Sequence, residues 1–225
     1  MRRSLVFLCT MLVVLGISTA ARATLYDRGG GLIYDDVLGI TWLQDANYAR
    51  TSGYDSDGRM AWYDAVAWAN QLVYQGYEDW RLPTTMDGPW EWGYDGTTTA
   101  GYNITTSEMG YMYYENLGNL GFYATDGTYE QPGWGLSNTG PFINLQPRFY
   151  WSGTENAPHP DAAWLFFFDY GYQGIGPHDI APHDGGYAWA VRPGDSVPIP
   201  EPSTLLLLCS GLLGLAVFSR KFRKS

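Results

Sequence analysis

Three groups of residues have types and spacings suited to chemistry. The first is the acidic turn Asp55-Ser56-Asp57-Gly58. Alternating carboxylates followed by glycine suit Ca²⁺, which takes several oxygens from a flexible loop, so Asp55 and Asp57 are candidate ligands. The run lacks the further ligands and closing glutamate of an EF-hand loop; the competing reading is a turn that caps the following helix. No other cofactor is implied. The second group is His178-Asp179 and His183-Asp184, each preceded by proline. Histidines beside acids can ligate a divalent metal. Five apart, however, they miss the i, i+4 spacing of one helix face, and two loop turns explain the repeat more simply. The third group is Trp90, Trp92, Tyr129 and Trp134, which fall in irregular stretches. Sugar rings present apolar C–H faces that stack on Trp and Tyr, while carboxylates and amides take their hydroxyls. These four are the candidate ligand-binding residues. The alternative is that they pin the loops down, because Trp is highly buried on average.

Catalysis has less to work with. There is no Gly-x-Ser-x-Gly and no recognisable triad. Both cysteines, Cys9 and Cys209, lie near the chain ends, which leaves residues 24–198 without a thiol, a disulfide or a Cys-type zinc site. Carboxylate pairs for glycoside hydrolysis occur in any acid-rich domain. The expectation is a non-enzyme, with a glycan-acting hydrolase as an alternative.

Residues 24–198 hold all ten Trp and all eighteen Tyr, so the core is aromatic. The same span has no Lys and six Arg against 22 acids, a formal balance of −16. That excludes nucleic acid as the natural partner and disfavours anionic membrane surfaces. It favours cations and neutral or basic ligands.

The elements that must position these groups read as follows. Residues 32–35 and 40–43 are β-prone and joined by a short turn, which predicts a hairpin. Residues 47–58 are a polar loop. Apolar residues at helical spacing predict a helix over 62–74, with Gly76 as its C-cap. Residues 85–104 are a Gly- and Thr-rich loop. A second helix is predicted over 105–117, with Thr105-x-x-Glu108 as a capping box and Gly118 as its stop. Residues 119–140 are irregular. Strands are predicted at 149–152, 164–168 and 187–192, with a loop over 174–186. The fold class is therefore α+β: a mixed or antiparallel sheet with two helices and long irregular loops.

Both ends of the chain carry transport features. Met1-Arg2-Arg3, an apolar run over 5–17 and Ala21-Arg22-Ala23 form a secretory signal peptide with its small-x-small cleavage site at Ala21 and Ala23. The far end reads Pro200-Glu201-Pro202, an apolar run over 205–218, then Arg220-Lys221-Phe222-Arg223-Lys224. Residues 203–219 as a helix would span roughly 26 Å at ~1.5 Å per residue, short against a bilayer core of about 30 Å. The basic tail would stay cytoplasmic. This tripartite end resembles the PEP-CTERM signal of Gram-negative bacteria, with Pro200, Glu201 and Pro202 as the matching triplet. The resemblance implies export, transient inner-membrane insertion, and cleavage by an exosortase-type enzyme for delivery to the cell surface or matrix. The alternative is a plain membrane anchor. The chain then divides into a signal peptide at 1–23, a domain at 24–195 and a sorting segment at 196–225.

Four tracts stand in order inside the domain: Gly31-Leu32-Ile33-Tyr34-Asp35 with Thr41-Trp42-Leu43, then Trp80-Arg81-Leu82-Pro83-Thr84, then Tyr150-Trp151-Ser152-Gly153-Thr154, then Ala188-Trp189-Ala190-Val191-Arg192-Pro193-Gly194. Together they resemble the Lcl C-terminal-type domain of bacterial surface proteins. That resemblance implies a C-type lectin-like fold with paired terminal strands, and a glycan or exopolysaccharide adhesion module. Trp80, Arg81, Leu82, Pro83, Trp151, Ser152, Trp189 and Arg192 are its structural motif residues. Arg81 and Arg192 are expected to pair with carboxylates or cap backbone carbonyls. The chain departs from the sulfate-binding adhesin of that family in its near absence of positive charge. A purely structural surface protein without a specific ligand is the alternative.

Overall fold

The hairpin forms where its residues predict. Strand β2 (Leu32–Asp35) pairs antiparallel with β3 (Ile40–Leu43), with Leu32 opposite Leu43 and Asp35 opposite Ile40. Asp35 builds the turn: its Oδ1 accepts the Val37 and Leu38 N–H groups, as short acidic side chains do in Asx turns. The structure is a computed structural model and describes residues 24–180 and 184–196.

Two sheets carry these residues. The first has the order β1 (Leu25–Asp27), β2, β3, β11 (Val191–Pro193), with all neighbours antiparallel. The last strand of the domain thus lies beside one of the first. The second sheet has the order β4 (Arg59–Met60), β10 (Gly186–Tyr187), β7 (Phe149–Glu155), β8 (Ala162–Phe167), β9 (Tyr172–Pro177), β6 (Ala100–Gly101), β5 (Trp92–Gly93). Its centre, β7–β8–β9, is antiparallel. Helices are short: α1 (Tyr48–Thr51), α2 (Trp62–Gln71) and α3 (Glu108–Tyr111), the last running into a π-helical turn, Met112–Asn116. The fold is mixed α and β, with sheet predominating.

Trp189 joins the sheets. It sits between β10 and β11 and is fully buried. Its ring lies 4.5 Å from Trp42 of the first sheet, 4.7 Å from Phe142 and 6.0 Å from Tyr150 of the second. Its indole N–H donates to the Leu43 carbonyl at 2.7 Å, so the one polar atom of a large apolar group is satisfied.

Several expectations need correction. Helix α2 stops at Gln71, because Leu72 turns extended and Val73 points to solvent. Gly76 does not cap it. Gln75 and Gly76, both at positive φ, make a two-residue turn that pairs Tyr74 with Tyr77, the geometry such turns require. The second helix starts at Ser107, whose hydroxyl accepts the Gly110 N–H; Thr105 is not the cap, because Glu108 is drawn away to Arg81. The first four residues of the expected loop over 174–186 belong to β9. The expected strand over 187–192 splits into β10 and β11, one in each sheet, because Trp189 has to cross between them.

Candidate functional site

An aromatic face is assembled from three separate segments. Residues 90–103, around β5 and β6, supply Trp90, Trp92, Tyr94 and Tyr102. The stretch 119–140 supplies Phe122, Tyr123, Tyr129 and Trp134. The β8–β9 connection supplies Phe167, Tyr170 and Tyr172. Tyr123 is a hub, with ring centroids 4.9 Å from Tyr102, 5.7 Å from Trp92 and 5.2 Å from Tyr129. Phe122 packs edge-on to Trp134 at 5.0 Å, and Trp134 lies parallel to Tyr170 at 5.4 Å. Trp90 joins through its side chain, which lies near enough to the Tyr172 hydroxyl to oppose the effect of burial on it. The structure therefore brings the four sequence-predicted aromatics into one group. It leaves them 45, 44, 66 and 36% exposed for Trp90, Trp92, Tyr129 and Trp134, more than a core role requires.

Local chemistry explains why these loops hold still. Tyr123 and Tyr129 pair as an antiparallel bridge, closed by the turn in which Asp126 accepts the Thr128 N–H. The Asn103 side-chain amide donates to the Tyr94 and Tyr123 carbonyls, tying two segments together. The buried Tyr114 hydroxyl accepts the Asn103 N–H and donates to the Gly171 carbonyl, adding the third. Gly171 must be glycine: its φ is +72°, and a Cβ there would lie 2.6 Å from the Tyr114 hydroxyl.

Tyr102, Phe167, Tyr170 and Tyr172 line a cleft of about 270 Å³. That is just below the range of drug-sized pockets, about 300 Å³ and up, and suits one small ring. Burial, helped by neighbouring tyrosines, pushes the Tyr102 hydroxyl up to about 12. Burial also raises the Tyr172 hydroxyl, against a smaller opposing effect of the Trp90 side chain. Both stay protonated at neutral pH and can donate as well as accept. Burial raises the Asp169 carboxyl too, and its Oδ1 has no hydrogen-bond partner.

Tyr94, Tyr102, Phe122, Tyr123, Tyr170 and Tyr172 are members that sequence reasoning missed. The available signal was the pair Tyr170 and Tyr172 around a turn glycine. Residues 169–173 fall between the expected strand over 164–168 and the expected loop over 174–186, so the pair belongs to neither.

The other candidates fall elsewhere. Asp55 Oδ1 accepts the Asp57 and Gly58 N–H groups. Asp57 accepts the Arg59 backbone N–H and is gripped by the Arg59 guanidinium, whose Nη2 donates at 2.8 Å; the N–H first and the guanidinium second keep its carboxyl below the usual range. The turn thus closes on itself. It does not cap α2 either, since Ala61 holds that position without a side-chain bond. Among the described residues no group of three or more His, Cys, Asp or Glu is placed to hold a metal ion. His178 is buried and stacked on Trp62 at 4.3 Å. His183, Ala21, Ala23, Pro200, Glu201, Pro202 and the apolar run over 205–218 lie outside the described residues. Among the described residues no helix is long and apolar enough to cross a membrane.

The motif tracts interlock in the core. Trp80, Leu82, Trp151 and Ser152 are buried. The Ser152 hydroxyl donates to the Pro83 carbonyl at 2.9 Å, and the Trp151 indole donates to the Met60 carbonyl. Arg81 grips Glu108 with two bonds of 2.7 Å and exchanges backbone bonds with Val191. Arg192 forks onto Asp79 at 2.6 and 2.9 Å, donates to the Ser196 hydroxyl, and lies 3.9 Å above the Tyr77 ring. The Arg192 guanidinium holds Asp79 below the usual carboxylate range. A lowered folded-state pKa gives stability that is present above the unfolded value of 3.8 and lost as pH falls through the folded one. An Asp79→Asn variant is therefore expected to lose less melting temperature than the parent between pH 5 and pH 2. The effect stays under about 1 kcal/mol, because the Asp79 side chain is 52% exposed. Equal acid sensitivity in both would refute the linkage.

With the geometry in place, comparison with known proteins is informative at one end of the chain. Residues 198–221 match a family model described as the PEP-CTERM protein-sorting motif. No curated protein and no solved structure matches the chain. The motif marks an exported protein that passes through a C-terminally anchored stage and is sorted to the cell surface by an exosortase-type enzyme.

Proposed function

We propose that the domain is a non-enzymatic glycan-binding module with a C-type lectin-like fold, delivered to the cell surface or matrix to hold exopolysaccharide. One observation carries this reading. Three loops that are far apart in sequence converge their rings on one face and keep Trp90, Trp92, Tyr129 and Trp134 open to solvent. Flat aromatic surfaces flanked by neutral tyrosine hydroxyls suit the alternating C–H and hydroxyl faces of a sugar ring. The paired terminal strands and long loop region are the features expected of the lectin-like architecture.

Retention on native gels containing the producer's own polysaccharide tests this. Trp134→Ala and Tyr129→Ala are each expected to weaken retention about tenfold, the scale of an aromatic anchor. Lower melting temperature with unchanged retention would mean that the rings only hold the loops, and would favour a structural surface protein. Release of shortened glycan would favour a hydrolase.

A further inference from the structure

Resting on that glycan reading, we propose that the aromatic face selects a free-amine amino sugar, the hexosamine unit of a de-N-acetylated polysaccharide. The reason is the charge around the rings. Glu91 adjoins Trp90 and Trp92, Asp95 adjoins Tyr94, Glu130 adjoins Tyr129, and all three acids are exposed. Asp126 is exposed too, on the turn that packs against the Tyr94 ring. Asp169 precedes Tyr170, and its charge acts on the Tyr102 hydroxyl in the cleft wall. Asp95 and Asp126 each use Oδ1 on a threonine two residues on, which leaves Oδ2 to meet a ligand.

Four of the six arginines among the described residues are engaged elsewhere. Among the described residues the arginine ion pairs are Arg28–Asp195, Arg59–Asp57, Arg81–Glu108 and Arg192–Asp79. None uses an acid of the aromatic face. Of the remaining basic residues, Arg50 lines a different hollow with Asn47 and Gln146, and Arg148 reaches Asp169 only through space.

An anionic or sulfated sugar would meet repulsion from the exposed carboxylates of Glu91, Asp95, Asp126 and Glu130. A neutral acetylated sugar would gain the stacking alone. An ammonium on a hexosamine gains twice: from the negative faces of Trp and Tyr, and from carboxylates that need little desolvation to reach it.

Calorimetry on the full chain, kept soluble with a non-ionic detergent, would compare a glucosamine hexamer, an N-acetylglucosamine hexamer and hexalysine at physiological salt. The glucosamine hexamer is expected to bind about tenfold more tightly than the acetylated one, a difference one cation–π contact with partial desolvation can supply. The double variant Asp95→Asn, Asp126→Asn is expected to lose most of that preference while its affinity for the acetylated hexamer stays level. Equal affinity for the two sugars would overturn the amine selection and leave neutral glycan binding standing. An unchanged preference in the double variant would overturn it as well, as would hexalysine binding as tightly as the glucosamine hexamer, which would indicate general attraction of polycations. Failure of every sugar to bind would overturn the glycan reading itself.

Discussion

Trp189→Ala is expected to lower the free energy of unfolding by about 3–5 kcal/mol, the range for truncating a buried Trp. Trp189 is 0% exposed and touches Trp42, Phe142, Tyr150 and Phe168. Those partners belong to both sheets, so the cavity opens at their junction and cannot be closed by one element relaxing. The Leu43 carbonyl also loses its indole donor. Trp189→Phe keeps most of the volume and should recover more than half of the loss. Denaturant titration measures both. A loss under about 1 kcal/mol for the alanine variant, the size seen at surface positions, would mean that the sheets are held together by other contacts.

The second large effect is at Glu108. Its carboxylate takes both Arg81 Nη donors and the Thr84 N–H, each at 2.7 Å. Glu108→Ala leaves a guanidinium and a backbone donor without that partner. Removing one member of a buried pair costs about 3–5 kcal/mol. Here Arg81 is 31% and Glu108 14% exposed, so water recovers part of the loss and about 2–3 kcal/mol is expected, the scale of charge-assisted hydrogen bonds. Arg81→Lys should cost less, since a single ammonium keeps the charge and loses only the fork. The order of melting temperatures, parent above Arg81→Lys above Glu108→Ala, is the check. Unchanged melting in Arg81→Lys together with altered glycan retention would move Arg81 from the scaffold to the ligand.

The aromatic site was half legible. Trp90, Trp92, Tyr129 and Trp134 stood out because they lie in stretches without helical or strand periodicity, where large rings need an explanation. Their convergence was not legible, because it rests on Phe122, Tyr123 and Tyr102, residues that look like any other aromatics in a chain with ten Trp, 18 Tyr and nine Phe. The Asp55–Asp57 turn shows the opposite case. Spacing there suggested an ion site, and the neighbouring Arg59 and two backbone N–H groups took up the carboxylates. Short-range pattern cannot say whether a carboxylate already has a donor.

Sequence by itself determined the C-terminal sorting motif, the hairpin over 32–43 and the carboxylate pairing expected of Arg81. Each depends on local order along the chain: hydrophobic length, turn chemistry, or an arginine two residues ahead of a proline. Only the tertiary structure decided that Glu108 leaves its helix cap for Arg81, that Tyr187 and Val191 enter different sheets, and that three loops share one aromatic face. Those outcomes are set by long-range contacts, and the burial energy of rings such as Trp189 outweighs the local preferences that neighbouring residues would otherwise follow.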